Sequence, residues 1–387
     1  MRQAKVFREK QGIDLRTAHR VEAIDPAARK GKGVSPEKGA FEFSYDKLLF
    51  ATGSRATIPD IPGKDHPGVF VLKSLEDGRK IKKWIEKSPV RKAVILGMGY
   101  ISLEMCEALR ARGIAVTMVK PRPSFIPWMN QELAAAVRQE VEEHGVGVYP
   151  GQEIKRIESA RDGLRVVCSD MEVACQMVLF GIGVRPCSEV AAKAGLALGA
   201  KQSIAVDRFL ATSDENIYAA GDCADSYHVV TGEKTWIPLA LRANRSGWAA
   251  ADNVVGGRTQ LPGVVGTAVF KVFEMQVART GLSVKEAEEA GFEPAEAAIQ
   301  SRSRGHAHPG SSVIWAQIVA DRKTGRLLGA QMVGKEGAAH RINAAAVALH
   351  AKMSAEEFSQ ADLAYAPPFG PTWDPLLTAA NQVLKAI

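Results

Sequence analysis

The stretch VILGMGYISLEMCEALRARGIAVTMVKPR, residues 94–122, decides the fold class because it combines a strand, a glycine turn, a helix and a second strand. Its first residues are apolar and β-branched, as in a buried parallel strand. Gly97 and Gly99 follow at once. The first permits a tight turn, and the second lets a pyrophosphate approach the backbone. The pattern predicts a Rossmann-type dinucleotide-binding unit, with a purely structural turn as the alternative.

The residues after the glycine turn belong to the same predicted site. Tyr100, Ile101 and Ser102 begin the helix, whose N-terminus directs free N–H groups at the phosphates. Ser102 stands where a third glycine is usual, and it is small enough for the helix to pack on the strand. Lys120 stands where an acid would bind the ribose of NAD, so we expect NADPH to be used at least as well as NADH. The alternative is that Lys120 points to solvent and the choice between NADH and NADPH is loose.

The composition is that of an ordinary globular chain with room for two or three domains: 387 residues, 46% apolar and 24% charged. The absence of a long apolar run predicts no membrane span, and the first residues do not resemble a secretory signal. The five cysteines form no Cys-x-x-Cys pair. These features predict a cytoplasmic protein with free thiols.

The chain is basic, with a net charge of +7 and a pI of about 9.1, and the excess of positive charge lies in the first quarter of the chain. A basic face can attract nucleic acid or anionic cofactors. No aromatic residues alternate with the basic ones, and no nucleic-acid-binding motif is found. We therefore interpret the basic residues as a solvated surface and expect no nucleic-acid partner, with a basic nucleic-acid binder as an alternative class.

Three further motifs occur in a fixed order around the nucleotide turn: LLFATGSRATIPDIPG (48–63), GIGVRP (181–186) and NIYAAGDCA (216–224). This order resembles the FAD-dependent pyridine nucleotide–disulfide oxidoreductases. It is most similar to their branch of coenzyme A-disulfide reductases, NADH oxidases and NADH peroxidases. The C-terminal segments GTAVFKVFEMQVARTGL and DLAYAPPFGPTWDP resemble the dimerisation domain of that branch. The resemblance covers essentially the whole chain.

The resemblance implies an α/β fold with two Rossmann-like nucleotide-binding domains, the first one truncated, and a C-terminal α+β dimerisation domain. The implied divisions are a first part of the FAD-binding domain (1–72), an NAD(P)-binding domain (73–187), a second part of the FAD-binding domain (188–262) and the dimerisation domain (263–387). It further implies a homodimeric flavoenzyme without a metal. Electrons would pass from NADH or NADPH through FAD to a small-molecule disulfide, persulfide, oxygen or peroxide acceptor.

The resemblance also assigns residues to the two cofactors. The implied FAD contacts are Ala51, Thr52, Gly53, Gly221, Asp222, Leu239 and Ala240. Asp222 would accept a hydrogen bond from the ribityl chain, and the backbone of Leu239 and Ala240 would meet the flavin ring. Gly181 and Gly183 would let the backbone pass close to the nicotinamide nucleotide. The alternatives are an ordinary glycine turn at 51–53 and a helix-capping aspartate at 222.

Four side chains are candidates for a role in the active site. By resemblance, Tyr100 would cover the nicotinamide pocket and Glu104 would lie near it; the alternative is that both are helix-surface residues. Tyr365 matches a tyrosine that reaches the partner subunit's active site. His308 stands where the family often has a second tyrosine. Its imidazole would be able to serve as an acid or base near neutral pH.

Two family features are missing from the sequence: an opening strand with a Gly-x-Gly-x-x-Gly turn for the ADP half of FAD, and a redox cysteine in a Ser-x-x-Cys context. A fragmentary gene model is the simplest explanation, and a natural truncation is the alternative. Cys106 lies in the nucleotide-turn helix. Cys168 and Cys175 would be able to face each other across a hairpin, although buried thiols are the preferred interpretation. We expect the 387-residue chain to hold FAD poorly. An NAD(P)H-binding subunit without flavin turnover is the alternative function.

Overall fold

The computed structural model describes residues 4–37 and 39–387. Residues 1–3 and Lys38, which belong to the predicted first part of the FAD-binding domain, lie outside the described residues.

The chain forms 22 strands within the described residues, most of them short. They are β1 (Arg20–Asp25), β2 (Lys30–Ser35), β3 (Gly39–Ser44), β4 (Leu48–Phe50), β5 (Ser54–Ala56), β6 (Val69–Val71), β7 (Lys92–Leu96), β8 (Ala115–Lys120), β9 (Gly147–Pro150), β10 (Ile154–Ala160), β11 (Gly163–Cys168), β12 (Glu172–Cys175), β13 (Met177–Phe180), β14 (Val184–Pro186), β15 (Ile217–Ala219), β16 (Ser226–Tyr227), β17 (Lys234–Thr235), β18 (Ala268–Val272), β19 (Met275–Gly281), β20 (Pro294–Arg302), β21 (Val313–Asp321) and β22 (Leu327–Gly334).

The α-helices are α1 (Leu75–Lys87), α2 (Tyr100–Arg110), α3 (Gln131–Glu143), α4 (Glu189–Lys193), α5 (Ala240–Val254), α6 (Val284–Glu289), α7 (Ala338–His350), α8 (Ala355–Ser359) and α9 (Pro375–Val383). A π-helix (Val6–Lys10) precedes β1. Within the described ranges, no helix combines the length and the apolar composition needed to cross a lipid bilayer.

The chain divides into two compact units. The first contains Met1–Ser54, Pro186–Tyr227 and Lys234–Pro262. The second contains Arg55–Arg185, His228–Glu233 and Gly263–Ile387.

In the first unit, the strands β4 and β15 run parallel, with Phe50 beside Ala219. The antiparallel sheet β1–β2–β3 lies in the same unit. Its core includes Phe50, Ile204, Ile217 and Ala250. Because the carboxyl ends of parallel strands meet at one edge of a sheet, the segments that follow β4 and β15 emerge side by side. These segments carry five of the residues assigned to FAD: Ala51, Thr52, Gly53, Gly221 and Asp222.

In the second unit, a parallel sheet has the strand order β6–β13–β7–β8–β9. The central strand β7 is buried from Ala93 to Leu96 because apolar residues fill both of its faces. The glycine turn follows β7, and Gly181 follows its neighbour β13. The strand–turn–helix–strand unit predicted over residues 94–119 is therefore confirmed.

The C-terminal part of the second unit is an antiparallel sheet of order β18–β19–β22–β21–β20. Strand β22 is buried along its whole length. The core on this sheet includes Ile318, Leu328, Ile342 and Leu376, so side chains of α7 and α9 contribute to it. The predicted mixture of a parallel α/β sheet with a C-terminal α+β sheet is confirmed.

Candidate nucleotide and flavin sites

Gly97 is the one position in the glycine turn where both backbone conformation and space require glycine. Its φ is +113°, in the left-handed region, and its N–H donates to Val119 O over 2.8 Å. A β-carbon at Gly97 would lie 2.3 Å from the carbonyl oxygen of Gly181. The turn after β7 and the end of β13 are therefore packed backbone to backbone.

Gly99 is different, because a β-carbon there would meet no atom within 4 Å. It is the N-cap residue of α2, with φ of −89°, and no side chain caps this helix. The first amides of a helix have no partner within the helix, so those that follow Gly99 are available to an anion. Gly183 likewise has open space around it, and Ile101 is exposed. The turn is therefore closed at Gly97, where backbone atoms fill the space, and open at Gly99, where the space is unfilled. Phosphate binding requires such an unfilled space beside the backbone.

Ser102 explains why a serine can replace the third glycine of the motif. It is fully buried, and its Oγ donates to Gly181 O over 3.1 Å. The hydroxyl links the first turn of α2 to the end of β13. A β-carbon on Gly181 would lie 2.1 Å from this Oγ, so Ser102 in turn requires glycine at 181. The sequence indicated only that a small residue was needed at 102.

Gly181→Ala is expected to destabilise the second unit by about 1–3 kcal/mol through overpacking against Ser102 Oγ. Gly181 does not have a positive φ, so backbone strain adds nothing. In a Ser102→Ala background the clashing oxygen is absent, and the added effect of Gly181→Ala should fall below about 1 kcal/mol. Urea unfolding of the wild type, the single variants and the double variant measures this coupling. Equal effects in both backgrounds would show that the Ser102 contact is not the cause.

Lys120 is the last residue of β8 and is half-buried. Its Nζ donates to Phe125 O over 3.3 Å. Burial and then the charge of Arg122 lower the pKa of Lys120. Two cations therefore share the end of this strand, where an anion would be stabilised.

Tyr100 and Glu104 lie on consecutive turns of α2. The Tyr100 ring packs against Phe270 at 5.0 Å between centroids and meets Trp128 edge-on at 5.8 Å. Burial raises the pKa of Tyr100. Glu104 lies on the exposed face of the helix, and partial desolvation followed by the charge of Glu107 raises its pKa. Tyr100 is thus held in an aromatic cluster, while Glu104 is open to solvent on one side.

Asp222 lies inside a 3₁₀ turn, Gly221–Cys223, which has Ala220 as its N-cap. The Oδ2 atom of Asp222 accepts a hydrogen bond from Ser54 Oγ over 2.8 Å. Gly221 has a φ of +76°, which favours glycine where the chain turns out of β15. The structure thus brings Asp222 to the segment that follows β4. Sequence reasoning missed Ser54, although it directly follows the Ala-Thr-Gly motif.

Residues 51–53 are anchored by hydrogen bonds to Cys187, and the space beside Gly53 is unfilled. Thr52 Oγ1 donates to Cys187 O over 2.5 Å, and Cys187 N donates to Gly53 O over 2.9 Å. Gly53 has a φ of +69°, and a β-carbon there would meet nothing within 4 Å. Ala51 and Thr52 are exposed. A cofactor is therefore able to approach this backbone closely.

Leu239 is the N-cap of α5, and no side chain caps this helix. The first amides of α5, from Ala240 onward, are free to meet an electronegative edge of a ligand. With the Asp222 carboxylate and the open Gly53, this set fits the ribityl and flavin half of FAD. Within the described part of the first unit, we find no strand–glycine turn–helix that would fit the ADP half.

His308 and Tyr365 lie on two loops that are hydrogen-bonded to each other, through Gly305 N and Pro367 O at 2.8 Å. Tyr365 is 50% exposed, so its phenol is available to a ligand or to another chain. The Nδ1 atom of His308 lies 3.0 Å from Pro309 O. No direct contact links these two side chains to Glu104 among the described residues.

Four cysteines are buried free thiols, namely Cys106, Cys168, Cys175 and Cys223, and Cys187 is half-buried. Burial raises the pKa of Cys106 to about 12 and that of Cys175 to about 11, which makes both poor nucleophiles. Cys175 pairs with Leu164 in the register of β11 and β12. Cys168 and Cys175 therefore do not face each other, and the interpretation as buried thiols is confirmed.

Comparison with known proteins agrees with this arrangement. The profile of the pyridine nucleotide-disulphide oxidoreductase family matches residues 2–247. The profile of that family's dimerisation domain matches residues 267–375. The family predicted from the motifs is confirmed.

Relatives align along almost the whole chain. An NAD(P)H sulfur oxidoreductase (CoA-dependent) of Pyrococcus furiosus is 35% identical over 98% of this chain and 85% of its own length. An NADH oxidase of Methanocaldococcus jannaschii is 34% identical over 98% of this chain and 85% of its own length. The solved structure of an NAD-dependent persulfide reductase from A. fulgidus superposes with a TM-score of 0.95 at 35% identity. It covers 100% of this chain and 72% of that protein.

These relatives are oxidoreductases, so the prediction of an enzyme is supported and a binding subunit without turnover is not favoured. Members of the family use FAD together with NADH or NADPH, in agreement with the predicted cofactors. The chain therefore belongs to the pyridine nucleotide-disulphide oxidoreductases and is an NAD(P)H-dependent oxidoreductase.

Proposed function

We propose that this enzyme passes electrons from NAD(P)H through FAD to a sulfur–sulfur bond in a small molecule, with a persulfide or disulfide of coenzyme A as the preferred class. Two relatives named for sulfur or persulfide reduction, each 35% identical to this chain, support this acceptor. We propose the cytoplasm as its compartment because the sequence has no Cys-x-x-Cys pair and four of its five cysteines are buried.

The hydride-donor side of the proposal rests on one observation, the contrast between the closed Gly97 and the open Gly99 in a single turn. A turn that served packing alone would have no need of an unfilled helix N-terminus directly beyond its tight glycine. We propose that the pyrophosphate of NAD(P)H occupies this opening. Gly181 and Gly183 would then let the nicotinamide half pass along the end of β13.

The reaction balances with NAD(P)H as the only reductant. NAD(P)H and one proton reduce a persulfide, R–S–SH, to a thiol, R–SH, and hydrogen sulfide, and NAD(P)⁺ is released. The sulfur–sulfur bond breaks and two S–H bonds form. FAD, when bound, accepts the hydride and passes the electron pair to the acceptor.

The protein must supply a proton as the sulfur–sulfur bond breaks. We propose that the His308 imidazole and the Tyr365 phenol serve this step, from the two loops joined through Gly305 and Pro367. Tyr365 is 50% exposed, so the phenol is available to the active site of a partner subunit, as the family resemblance implies. An imidazole is suited to proton transfer near neutral pH.

The acceptor is identified by anaerobic assays with FAD in excess, NADPH as donor, and coenzyme A persulfide, coenzyme A disulfide or hydrogen peroxide as acceptor, with an aerobic assay for oxygen. The proposal expects the highest kcat/KM with a coenzyme A persulfide or disulfide. A rate accounted for entirely by oxygen would establish an NADH oxidase-like activity instead. Bound NADPH that is not oxidised with any acceptor would support the binding subunit.

Lys120→Glu is expected to shift nucleotide preference toward NADH by about 1–3 kcal/mol, the scale of one charge-assisted contact. The reason is that Lys120 and Arg122 place two positive charges at the end of β8, where the nucleotide's 2′-phosphate would lie. The ratio of kcat/KM values for NADPH and NADH measures the shift. A wild type that prefers NADH by roughly 100-fold would show that Lys120 does not bind the phosphate.

The chain contains a dimerisation domain, and we propose a two-fold homodimer built through residues 263–387. Three large apolar side chains in its C-terminal loop are exposed: Tyr365 by 50%, Phe369 by 79% and Trp373 by 60%. Neighbouring exposed apolar side chains mark interaction surfaces. Obligate two-fold interfaces commonly bury more than about 2,000 Å².

Trp373→Glu is expected to convert the dimer to a monomer at micromolar concentration, because a charge would replace an apolar contact. Trp248→Glu is the matched control, since Trp248 is 80% exposed on α5 in the first unit. Sedimentation velocity measures both variants. A stable, folded wild-type monomer would refute the proposed dimer. If Trp248→Glu abolishes the dimer and Trp373→Glu does not, the interface lies in the first unit and not in residues 263–387.

A further inference from the structure

A buried arginine holds the turn that carries Asp222. Arg242 lies in the first turn of α5 and is only 6% exposed. Its Nη1 donates to Gly221 O over 2.9 Å. Its Nη2 donates to Ala224 O over 2.9 Å and to Asp225 O over 2.5 Å. The guanidinium therefore bonds to the backbone on both sides of Asp222.

Other side chains fix the same turn. Ser246, one turn after Arg242, accepts the N–H of Gly221 at its Oγ over 2.9 Å. Trp236 donates from Nε1 to Asp222 O over 2.8 Å. Gly221 is thus held at both its N–H and its carbonyl. The backbone of the turn is fixed, and the Asp222 carboxylate reaches the Oγ of Ser54.

The choice of arginine has a physical reason. A guanidinium presents several donors in a fixed plane, so one side chain can join carbonyls that are several residues apart. A buried charge is costly unless it is compensated, and the three hydrogen bonds of Arg242 go to neutral carbonyls. The Nε atom is buried without a hydrogen-bond partner. Arg242 therefore holds the Asp222 turn through the planar fork of its guanidinium.

We infer that Arg242 is a positioning residue for the flavin site, which fixes the Gly221–Asp225 turn so that the Asp222 carboxylate is held for the ribityl hydroxyls. This inference rests on the proposed flavin-dependent function. Arg242 acts through Asp222 and is not assigned a contact with FAD.

The first test is the dissociation constant for FAD, measured by fluorescence titration of the 387-residue protein. Arg242→Gln removes the fork and the charge and should weaken FAD binding by roughly tenfold or more, the effect of one lost charge-assisted contact. Arg242→Lys keeps the charge and at most part of the hydrogen bonding, so its effect should be intermediate. Arg245→Gln is the matched control, because Arg245 is exposed on the same helix, and it should bind FAD like the wild type.

A double-mutant cycle shows whether Arg242 affects FAD binding through Asp222 or independently of it. If Arg242 acts through Asp222, then Asp222→Ala should weaken FAD binding strongly in the wild type and much less in Arg242→Gln. If the fold-losses of FAD affinity in the two single variants multiply in the double variant, the residues act independently and the inference is overturned. Circular dichroism shows whether Arg242→Gln is folded. If it is not, the cycle is read in Arg242→Lys by the same criterion.

Hydrogen exchange distinguishes failure of this inference from failure of the proposed function. The N–H of Ala224 donates to Gly221 O, and that of Asp225 donates to Ile204 O. Arg242→Gln should accelerate exchange at these two amides while the amides of β15 stay protected. Unchanged exchange would overturn the inference. If the wild type binds no FAD, the proposed function fails, and exchange alone decides whether Arg242 fixes the turn.

Discussion

Gly97→Ala is expected to abolish NAD(P)H binding and to destabilise the second unit severely. Two separate effects act at this position. A side chain at a φ of +113° is strained, and its β-carbon would lie 2.3 Å from Gly181 O. Backbone strain and overpacking each cost about 1–3 kcal/mol. Because the clash is with backbone, no side chain can move aside to relieve it. Urea unfolding and NADPH titration measure the two consequences.

Gly99→Ala is the matched control for this prediction, and it should separate binding from folding. The φ of Gly99 is −89°, and its β-carbon would meet nothing within 4 Å, so the free energy of unfolding should change by less than about 1 kcal/mol. The added methyl group should still displace the pyrophosphate and weaken NADPH binding by about 1–3 kcal/mol. Equal losses of stability in both variants would refute the assignment of Gly97 to packing and Gly99 to the ligand.

Asp222→Ala is expected to weaken FAD binding by about 1.5–3 kcal/mol, because a carboxylate that would accept the ribityl hydroxyls is lost. The contact of Asp222 with Ser54 at 2.8 Å fixes the direction of this carboxylate. Calorimetric or fluorescence titration with FAD measures the change.

Two controls accompany this variant. Asp46→Ala removes an exposed acid of the same unit and should leave FAD binding unchanged. Asp222→Asn keeps an acceptor oxygen and should lose less affinity than Asp222→Ala. If Asp222→Ala binds FAD as the wild type does, the flavin site lies elsewhere.

The features predicted correctly from the sequence are those encoded within a short stretch. The strand, turn, helix and strand within residues 94–120 are indicated by apolar runs separated by glycines. Lys120 is the last residue of β8, as expected. The order of the motifs then predicted the family and the α/β fold class. Local spacing was sufficient for these predictions because each element buries its own apolar face.

The contacts that complete the sites join residues far apart in sequence and were not predicted. Ser102 bonds to Gly181 O, Ser54 reaches Asp222, and Arg242 fixes the turn around it. Each contact depends on which elements pack side by side, and a single sequence does not specify that arrangement. The preferred interpretation of Cys168 and Cys175 as buried thiols was correct, because the register of β11 and β12 places Leu164 opposite Cys175.

The expectation that the 387-residue chain holds FAD poorly stays a prediction. The described residues of the first unit fit the ribityl and flavin half of the cofactor. Assays with FAD in excess do not depend on this expectation. Stoichiometric flavin in the protein as purified would contradict the expectation.

Anaerobic reduction of flavin by NADPH tests whether this protein transfers hydride from nicotinamide to flavin. The protein is mixed with excess FAD and NADPH in the absence of oxygen, and flavin absorbance is followed. We expect bleaching at a rate proportional to protein concentration, slowed by Gly99→Ala and by Asp222→Ala. Bleaching no faster than in the protein-free mixture, while NADPH is bound, would contradict the transfer of hydride from nicotinamide to flavin by this protein.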